Sequence, residues 1–563
     1  MDKGVVDGIK LYLEPVLPIL EDLRISVNHF CKHYEAWQLI LGTFILTWWI
    51  ISLKHFLFKE ESLWIRLKKS FFKFVKCLPF IKGKIASEQD KISREIEESV
   101  LKADKGRSYV TELPKQGLSS ADVLKECSSY LELAKINWKS GYASGTVYNG
   151  EEELTNLMSE AYRMFVWTNP LHHDVFPHIR KMEAEVTRMC CSMFNGGPTT
   201  CGSVTSGGTE SILLACLAYR NRALENGIQF PEIVVPVTAH AAFDKAAWLF
   251  HMKITHIPID PVSMKVNLRS MYRAINKNTC MLVGSAPQFP HGVVDPMEDI
   301  ANLGKQYNIP VHVDCCLGGF IVPFMEKAGF SIPIADFRLE GVMSISADTH
   351  KYGFAPKGTS VVLYRNKNIR KYQYFTQPNW PGGIYASPTL AGSRSGAAIA
   401  GCWATLMYYG EEGYVDATKR IVTTCRYITE GLRKIPHIFV LGEPLLSVVA
   451  VGSNNFNILR LCDALSAKGW NLNPLQSPAS IHLCVTLLHT HKGVADRFLA
   501  DMDTCVAEIM KKPNAQAEGM SAIYGMSQSI PDKTLVSDIV GSFLDACYST
   551  NVSFSNGSIE TSK

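Results

Sequence analysis

Three short segments of the sequence carry residue types that catalysis needs, and each lies beside an apolar run. The first (Thr205 to Ser211, TSGGTES) precedes a helical run, the second (Val311 to Asp314) ends in a carboxylate, and the third (Ser344 to Gly353, SISADTHKYG) carries a lysine. In open α/β sheets, ligands bind at the carboxyl ends of the strands. If the apolar runs are strands of such a sheet, the three segments meet at one edge.

Each segment alone also has an ordinary interpretation. Glycines before a helix offer free N–H groups and a positive dipole to a phosphate, but a plain turn with Thr209 as the helix cap has the same sequence. Asp314 could cap a surface loop, and Lys351 could be solvated as most lysines are. Together the segments supply a lysine, an acid and a phosphate cradle. A pyridoxal phosphate enzyme requires these for its Schiff base, its pyridinium nitrogen and its phosphate.

The apolar pattern predicts the elements that position these segments. Between about residues 170 and 415, strand-like and helical runs alternate, which is typical of an α/β layer with a mainly parallel sheet. The predicted strands are Ile233–Val237, Met281–Ser285, Val311–Val313, Val342–Ser346 and Ser360–Tyr364, and helices are predicted at Ile212–Glu225 and Met297–Tyr307. After about residue 416 the pattern predicts a smaller α+β unit, with helices near Ala417–Lys434 and Val494–Lys511.

Composition narrows the class of protein. The chain has 563 residues, of which 47% are hydrophobic and 20% charged, so it is long enough for two or three packed units and is neither disordered nor fibrous. A net charge of +4 argues against a nucleic-acid binder. The 16 cysteines form no CxxC pair and no metal-ligand spacing with histidine, so we expect reduced, mostly buried thiols and no metal site.

One apolar stretch predicts a membrane span. Ala36 to Leu53 contains 18 uncharged residues, and a helix of that length spans about 27 Å. Nine Lys or Arg residues follow between positions 54 and 84, whereas positions 1 to 35 hold four. Because positive residues stay cytosolic, we expect a lumenal N-terminus and a cytosolic catalytic part at the endoplasmic reticulum. The sequons at Asn551 and Asn556 should then stay unmodified.

These observations divide the chain into seven parts. We expect a short lumenal N-terminus (1–35), a transmembrane helix (36–53), a basic juxtamembrane linker (54–105), an N-terminal segment of the catalytic unit (106–170), a large cofactor-binding domain (171–415), a small C-terminal α+β domain (416–547) and a flexible tail (548–563).

The three segments together resemble fold-type I pyridoxal phosphate enzymes (the aspartate aminotransferase-like fold) of the group II decarboxylase superfamily. The resemblance extends to Asn169–His172 (NPLH), Thr205–Ser211, Ser346–Gly353 and Gly382–Tyr385 (GGIY). With the N-terminal anchor, the sequence is similar to the sphingosine-1-phosphate lyase family over nearly all of residues 30 to 545. The segment around Lys351 is the most specific part of this resemblance.

The resemblance implies roles in holding the cofactor. Lys351 would form the Schiff base with pyridoxal 5'-phosphate, and Asp314 would pair with its ring nitrogen. His240 would stack on the ring, although a packed loop histidine is the simpler interpretation without the family. Gly208 and Thr209 would hold the phosphate.

The resemblance also implies residues that contact the substrate. Tyr148, Asn169 and His172 match positions at the substrate entrance. Tyr385 and Lys357 match positions near the reacting end of the substrate and its phosphate. Tyr148 and Tyr385 could equally have packing roles, because a buried tyrosine often satisfies only one hydrogen bond. Arg394 is a weaker candidate for the phosphate.

The reaction implied by the family is a retro-aldol cleavage of a phosphorylated sphingoid base between C2 and C3, the last step of sphingolipid degradation. It yields a long-chain aldehyde and phosphoethanolamine. The base for the C3 hydroxyl stays open between Lys351, His172 and a phosphate oxygen of the cofactor. Covalent catalysis by an amine needs a fraction of Lys351 unprotonated, and we expect burial beside the cofactor to supply it.

Two other functions stay open at this stage. An amino-acid decarboxylase of the same superfamily would need an arginine for its substrate's carboxylate and would gain nothing from a membrane anchor. A membrane-anchored scaffold without activity would often have lost the lysine or the acid, and both are present. The family forms homodimers with sites at the subunit interface, so residues 106 to 170 could complete the partner's site.

Overall fold

The computed structural model describes residues 17–57, 79–104, 107–515 and 533–550. The chain divides into two compact units, one of residues 1–113 with 530–563 and one of residues 114–529. The α-helices are α1 (Leu17–Cys31), α2 (Ala36–Leu57), α3 (Pro79–Val100), α4 (Ser120–Leu131), α5 (Glu152–Phe165), α6 (Pro177–Met193), α7 (Gly208–Glu225), α8 (Ala242–Leu249), α9 (Leu268–Ala274), α10 (Met297–Tyr307), α11 (Lys367–Arg370), α12 (Gly396–Lys434), α13 (Leu459–Ala467), α14 (Val494–Met510) and α15 (Lys533–Cys547).

A seven-stranded sheet forms the centre of the larger unit. Its strands are β1 (Cys201–Thr205), β2 (Glu232–Pro236), β3 (Lys253–Ile257), β4 (Thr279–Ser285), β5 (Val311–Asp314), β6 (Val342–Ala347) and β7 (Ser360–Tyr364), in the spatial order β1-β7-β6-β5-β4-β2-β3. The β6-β5-β4-β2-β3 pairs are parallel, whereas β7 is antiparallel to both of its neighbours. The prediction of a mainly parallel α/β sheet is therefore confirmed.

Burial explains why most of these strands were predictable. β4 and β5 are buried along their whole lengths, as strands covered by helices on both faces must be. Each strand therefore contains an apolar run or alternating apolar residues, and the predicted bounds differ from the observed ones by two residues or fewer. The helix Met297–Tyr307 has the predicted bounds.

The C-terminal part of the larger unit contains a second sheet. Its strands are β10 (Phe439–Val440), β11 (Val448–Gly452), β12 (Asn473–Leu475) and β13 (Ser480–Cys484), all antiparallel, in the order β10-β11-β13-β12. The long helix α12 runs through the boundary predicted at residue 416. It bends at Gly410, whose φ of 55° is a left-handed conformation that glycine adopts without strain. Residues 114–529 form one compact unit, so the predicted division at residue 416 stays a prediction.

The smaller unit corrects two predictions. Residues 79–100, predicted as part of a linker, form α3. This helix packs against α15, where Ser93 Oγ lies 2.8 Å from Ser542 Oγ and Gln89 donates to Asp538 over 3.2 Å. Helix α15 therefore belongs with α3 and not with the C-terminal α+β domain. Its partner lies more than 400 residues earlier in the chain, which local patterning does not reveal.

Helix α2 contains the predicted membrane span. Residues 36–53 are long and apolar enough to cross a membrane, and in the described ranges no other helix meets that test. Its large side chains are exposed, for example Ile40 at 72% and Phe44 at 70%. Residues 1–16 of the predicted lumenal N-terminus, 58–78 of the predicted linker and 551–563 of the predicted tail, with both sequons, lie outside the described residues.

Candidate active site

The direction of the strands brings the three chemical segments to one edge of the sheet. β2, β5 and β6 are parallel, and β1 has the same direction because β7 is antiparallel to both β1 and β6. The carboxyl end of β1 leads to Gly208, that of β2 to His240, that of β5 to Asp314 and that of β6 to Lys351. Thr209 directly follows Gly208, so all five predicted cofactor contacts lie at or after strand ends on the same edge.

Asp314 is the last residue of β5 and is buried, with 6% of its surface exposed. Its Oδ1 accepts hydrogen bonds from the Cys316 backbone N–H at 3.1 Å and from Ser346 Oγ at 3.4 Å. These donors hold the carboxylate in one orientation at the sheet edge. A fixed carboxylate is suited to pairing with a protonated ring nitrogen.

Lys351 lies in the turn after β6, where its Nζ forms an ion pair with Asp348 Oδ2 at 2.9 Å. Asp348 is 2% exposed, and its Oδ1 has no hydrogen-bond partner among the described residues. Burial alone would lower the pKa of Lys351, but the negative charges of Asp348 and Asp314 outweigh it and raise that pKa above its usual range. The expectation that burial beside the cofactor leaves part of the Lys351 amine unprotonated stays a prediction.

Gly208 opens helix α7 directly against this ion pair. A Cβ atom at Gly208 would lie 2.7 Å from Asp348 Oδ1 and 2.9 Å from Cys316 Sγ. Only glycine allows the helix to begin so close to the buried carboxylate. The first N–H groups of a helix have no partner within it, and the helix dipole is positive there. Gly208 and Thr209 thus lie at a helix N-terminus that begins beside Asp348, the ion-pair partner of Lys351.

These residues fit pyridoxal 5'-phosphate. The donor set supplies an amine for its aldehyde, a fixed carboxylate for its ring nitrogen and a helix N-terminus for its phosphate. Two buried polar atoms near this edge, Asp348 Oδ1 and Thr238 Oγ1, have no partner in the part of the chain that is described. A polar ligand at the edge would satisfy such atoms.

His240 follows β2 and is exposed. Its Nδ1 accepts the Ala242 backbone N–H at 3.1 Å, which fixes the imidazole at the start of α8. The ring is therefore oriented and not packed in the core, as a stacking residue requires. The stacking itself stays a prediction.

Tyr148 and Lys357 lie together beside the loop that carries Lys351. Lys357 Nζ is 5.0 Å from the centre of the Tyr148 ring and donates to the His350 carbonyl over 3.3 Å. Tyr148 also packs edge-on against Tyr352, with ring centres 4.8 Å apart. Burial and the Lys351 charge lower the pKa of Lys357, and burial raises that of Tyr148. Lys357, which is predicted to contact the substrate phosphate, thus lies next to the loop that carries Lys351.

The structure places the other predicted residues outside this cluster. Tyr385 lies in a hairpin formed by β8 (Phe375–Gln377) and β9 (Tyr385–Ser387), next to Trp380. Asn169 Oδ1 accepts the Arg394 backbone N–H at 3.2 Å, and His172 is exposed. The roles of these residues in substrate binding stay predictions.

The guanidinium of Arg394 forms a bidentate ion pair with the Glu183 carboxylate, with one N···O distance of 3.0 Å. It also donates to the Val204 carbonyl over 3.3 Å. Glu183 is on α6, and Val204 is on β1, so the arginine ties these elements together. The Glu183 carboxylate therefore neutralises the positive charge with which Arg394 was predicted to bind the substrate phosphate.

Sequence reasoning missed Asp348 and Cys316. Asp348 is the only described carboxylate that forms an ion pair with Lys351, and Cys316 is buried between Asp314 and Gly208. The spacing of three residues between Asp348 and Lys351 was a usable signal, because residues three apart in a helical turn face each other.

Replacing Gly208 by alanine should weaken cofactor binding about tenfold, because overpacking costs about 1–3 kcal/mol at such a site. The new methyl group must displace either the helix N-terminus or the Asp348 carboxylate. Titration of the purified protein with pyridoxal phosphate measures the effect. Gly197→Ala is the control, because a Cβ there meets no atom within 4 Å. Equal affinities for both variants would show that the close approach at Gly208 is not needed.

Comparison with known proteins gives a consistent picture. Residues 106–452 match the family described as the pyridoxal-dependent decarboxylase conserved domain. The chain is 53% identical over 545 residues to sphingosine-1-phosphate lyase 1 of Rattus norvegicus, covering 96% of this chain and 95% of the relative. It is 45% identical over 487 residues to sphingosine-1-phosphate lyase of Saccharomyces cerevisiae, covering 85% and 82%.

Solved structures agree with these matches. The sphingosine-1-phosphate lyase of Burkholderia pseudomallei is 41% identical with a TM-score of 0.70, and the match covers 72% of this chain and 94% of that one. Glutamate decarboxylase of Lactobacillus brevis is 21% identical with a TM-score of 0.63, covering 74% and 99%. The second similarity shows a shared fold only.

Proposed function

Because the chain belongs to the sphingosine-1-phosphate lyases within the pyridoxal-dependent decarboxylase family, we propose that it is a pyridoxal phosphate-dependent lyase that cleaves phosphorylated sphingoid bases. The reaction breaks the C2–C3 bond, removes a proton from the C3 hydroxyl and returns a proton to C2. The products are a long-chain aldehyde and phosphoethanolamine. The observation that supports this most is the Lys351–Asp348 pair between Asp314 and the N-terminus of α7.

When bound, pyridoxal phosphate supplies an aldehyde that condenses with amines and a ring that accepts the electrons of a broken bond. Lys351 Nζ is the amine that binds it in this chain. Asp348 Oδ2, at 2.9 Å, is placed to take the proton that Lys351 must lose to become a nucleophile. Asp314 would keep a proton on the ring nitrogen, and the N–H groups of Gly208 and Thr209 would donate to the phosphate.

The surroundings of Lys357 suit a phosphorylated amphiphile. A cavity of about 180 Å³ is lined by Tyr148 and Lys357, by apolar side chains that include Leu154, Met158 and Phe354, and by polar ones that include Asn149 and Glu151. A second cavity of about 330 Å³ along α5 shares Met158 with the first. The Lys357 ammonium offers a charge to the substrate phosphate, and the apolar lining offers a surface to the alkyl chain.

The membrane helix supports the same substrate class. A long alkyl chain partitions into a bilayer at about 0.8 kcal/mol per CH₂, so an anchored enzyme meets its substrate in two dimensions. We place α2 in the endoplasmic reticulum membrane with its N-terminus lumenal and the larger unit cytosolic. We also propose a homodimer, in which residues 106–170 complete the partner's site.

The proposal is tested by giving the purified full-length protein dihydrosphingosine phosphate, dihydrosphingosine, glutamate and tyrosine side by side with added cofactor. Only dihydrosphingosine phosphate should yield a long-chain aldehyde and phosphoethanolamine in equal amounts. Release of carbon dioxide from either amino acid, or no product from any of the four compounds, would contradict the proposal.

Lys357→Gln sharpens this test. We expect the variant to raise KM for the phosphorylated substrate about five- to tenfold, because it loses one charge-assisted hydrogen bond at a partly solvated site. Lys277→Gln is the matched control on an exposed lysine after α9. An unchanged KM in Lys357→Gln would remove Lys357 from the phosphate site.

A further inference from the structure

A row of buried polar side chains runs beneath Asp314. His312 pairs with Ser344 and Asp314 pairs with Ser346 across the parallel strands β5 and β6. Residues two apart in a strand point to the same face, so all four side chains share one face of the sheet. His312, Ser344 and Ser346 are each 0% exposed. Tyr219 of helix α7 packs against this face of the sheet, and 1% of its surface is exposed.

These side chains form one continuous chain of hydrogen bonds. The Tyr219 hydroxyl donates to Ser344 Oγ over 2.6 Å, and Ser344 Oγ lies 2.8 Å from His312 Nδ1. His312 Nε2 lies 3.2 Å from Ser346 Oγ, which donates to Asp314 Oδ1 over 3.4 Å. The row therefore connects the core of the sheet to the carboxylate at its edge.

The protons of this row can be counted. A carboxylate only accepts, so Ser346 uses its single proton on Asp314 and must accept from His312 Nε2–H. Tyr219 donates to Ser344, whose own proton is then free for His312 Nδ1. Every link thus donates in the direction of Asp314. A chain of aligned donors strengthens each hydrogen bond in it and favours negative charge at the acceptor.

His312 takes part in this row as a neutral ring. Burial lowers the pKa of His312 to about 4, with Asp314 opposing the shift. The groups facing His312 from the packed elements are Ser344 and Ser346 of β6, and Phe243 of α8, whose ring centre is 5.9 Å away. None of these faces it with a charge. Of the two neutral tautomers, only the one with its proton on Nε2 fits both serines.

We propose that His312 is a positioning residue that acts through Ser346 to hold the Asp314 carboxylate aimed at the cofactor's ring nitrogen. The inference rests on the proposed function, because the ring nitrogen is that of pyridoxal phosphate. Apolar residues of similar size would fill the same space without the cost of burying four polar groups. The row instead ends on the one carboxylate of β5.

Three variants test the row. Ser346→Ala cuts the last link and should weaken cofactor affinity about tenfold, the range expected for a hydrogen bond to a charged group. His312→Leu should weaken it to a similar extent. His312→Gln keeps one acceptor and one donor and should stay within about threefold of the unchanged protein. Ser480→Ala is the matched control, since this buried serine of β13 bonds only the Pro478 carbonyl.

Nitrogen-15 NMR of histidine-labelled full-length protein, freed of cofactor, provides a readout besides activity. The signals absent from His312→Gln identify His312, which should carry its proton on Nε2 from pH 6 to 8. A charged ring or an Nδ1–H form would overturn the proposal. So would wild-type affinity in Ser346→Ala, or equal losses in His312→Gln and His312→Leu. If the unchanged protein binds no cofactor, the proposed function fails, while the NMR result still reports on the row.

Discussion

Replacing Lys351 by arginine should lower the turnover rate of phosphorylated sphingoid bases at least about 10⁴-fold. The loss of a residue that reacts covalently removes most of an enzyme's rate acceleration. The guanidinium does not deprotonate in proteins, so it cannot bind the cofactor's aldehyde. It does keep a positive charge beside the buried Asp348. The melting temperature should therefore stay near that of the unchanged protein, and the assay is aldehyde release from dihydrosphingosine phosphate.

Lys351→Ala separates the chemical role from the structural one. It should lose the same activity and also lower stability by about 3–5 kcal/mol, because it leaves the Asp348 charge buried without its partner. Adding Asp348→Asn to that variant should restore most of the melting temperature and none of the activity. Activity in either lysine variant would contradict the assignment of Lys351.

Asp314→Asn should lower kcat about 10²- to 10³-fold with saturating cofactor, the size of effect seen when one electrostatic contact to a developing charge is removed. The amide fits the same space between Cys316 and Ser346. It cannot balance a positive charge on the ring nitrogen, so the ring loses its capacity to accept electrons. The measurement is kcat by aldehyde release, with cofactor affinity determined in parallel.

Asp295→Asn is the control for this experiment. Asp295 is equally buried and accepts the Ser285 and Val266 backbone N–H groups at 2.9 and 3.3 Å. Burial raises the pKa of Asp295 to about 6, and the charge of Asp314 adds to this shift. We expect a lower melting temperature but a kcat within about threefold, since the Asp295 carboxylate accepts hydrogen bonds from backbone N–H groups and not from a reacting group. Equal losses of kcat in both variants would show that Asp314 acts through stability.

Most of the strands that the sequence predicted are buried along their whole lengths. β5, β6 and β7 each contain apolar residues at most positions or at alternate ones, and their bounds agree with the prediction to within one residue. β1 was not predicted, because CGSVT contains small residues and becomes a strand by pairing with β7, far along the chain. β3 was also missed, since it is the edge strand and is only partly buried.

The sequence predicted those site residues that lie at the ends of apolar runs. Asp314 ends β5 and Lys351 follows β6, and neighbouring parallel strands have their carboxyl ends at the same edge of the sheet. Asp348 could not be recognised as a buried carboxylate, because its burial depends on Gly208, which approaches from another part of the chain. Arg394 shows the same limit, since the sequence does not reveal its pairing with Glu183.

The central claim is that Lys351 holds pyridoxal phosphate. It is tested most directly by borohydride reduction of the full-length protein loaded with cofactor, followed by peptide mass spectrometry. Borohydride converts a lysine–cofactor linkage into a stable secondary amine. We predict one modified site, Lys351, with Lys357 unmodified and with no label in Lys351→Arg. A label on another lysine, or a folded protein that binds cofactor without any label, would contradict the account.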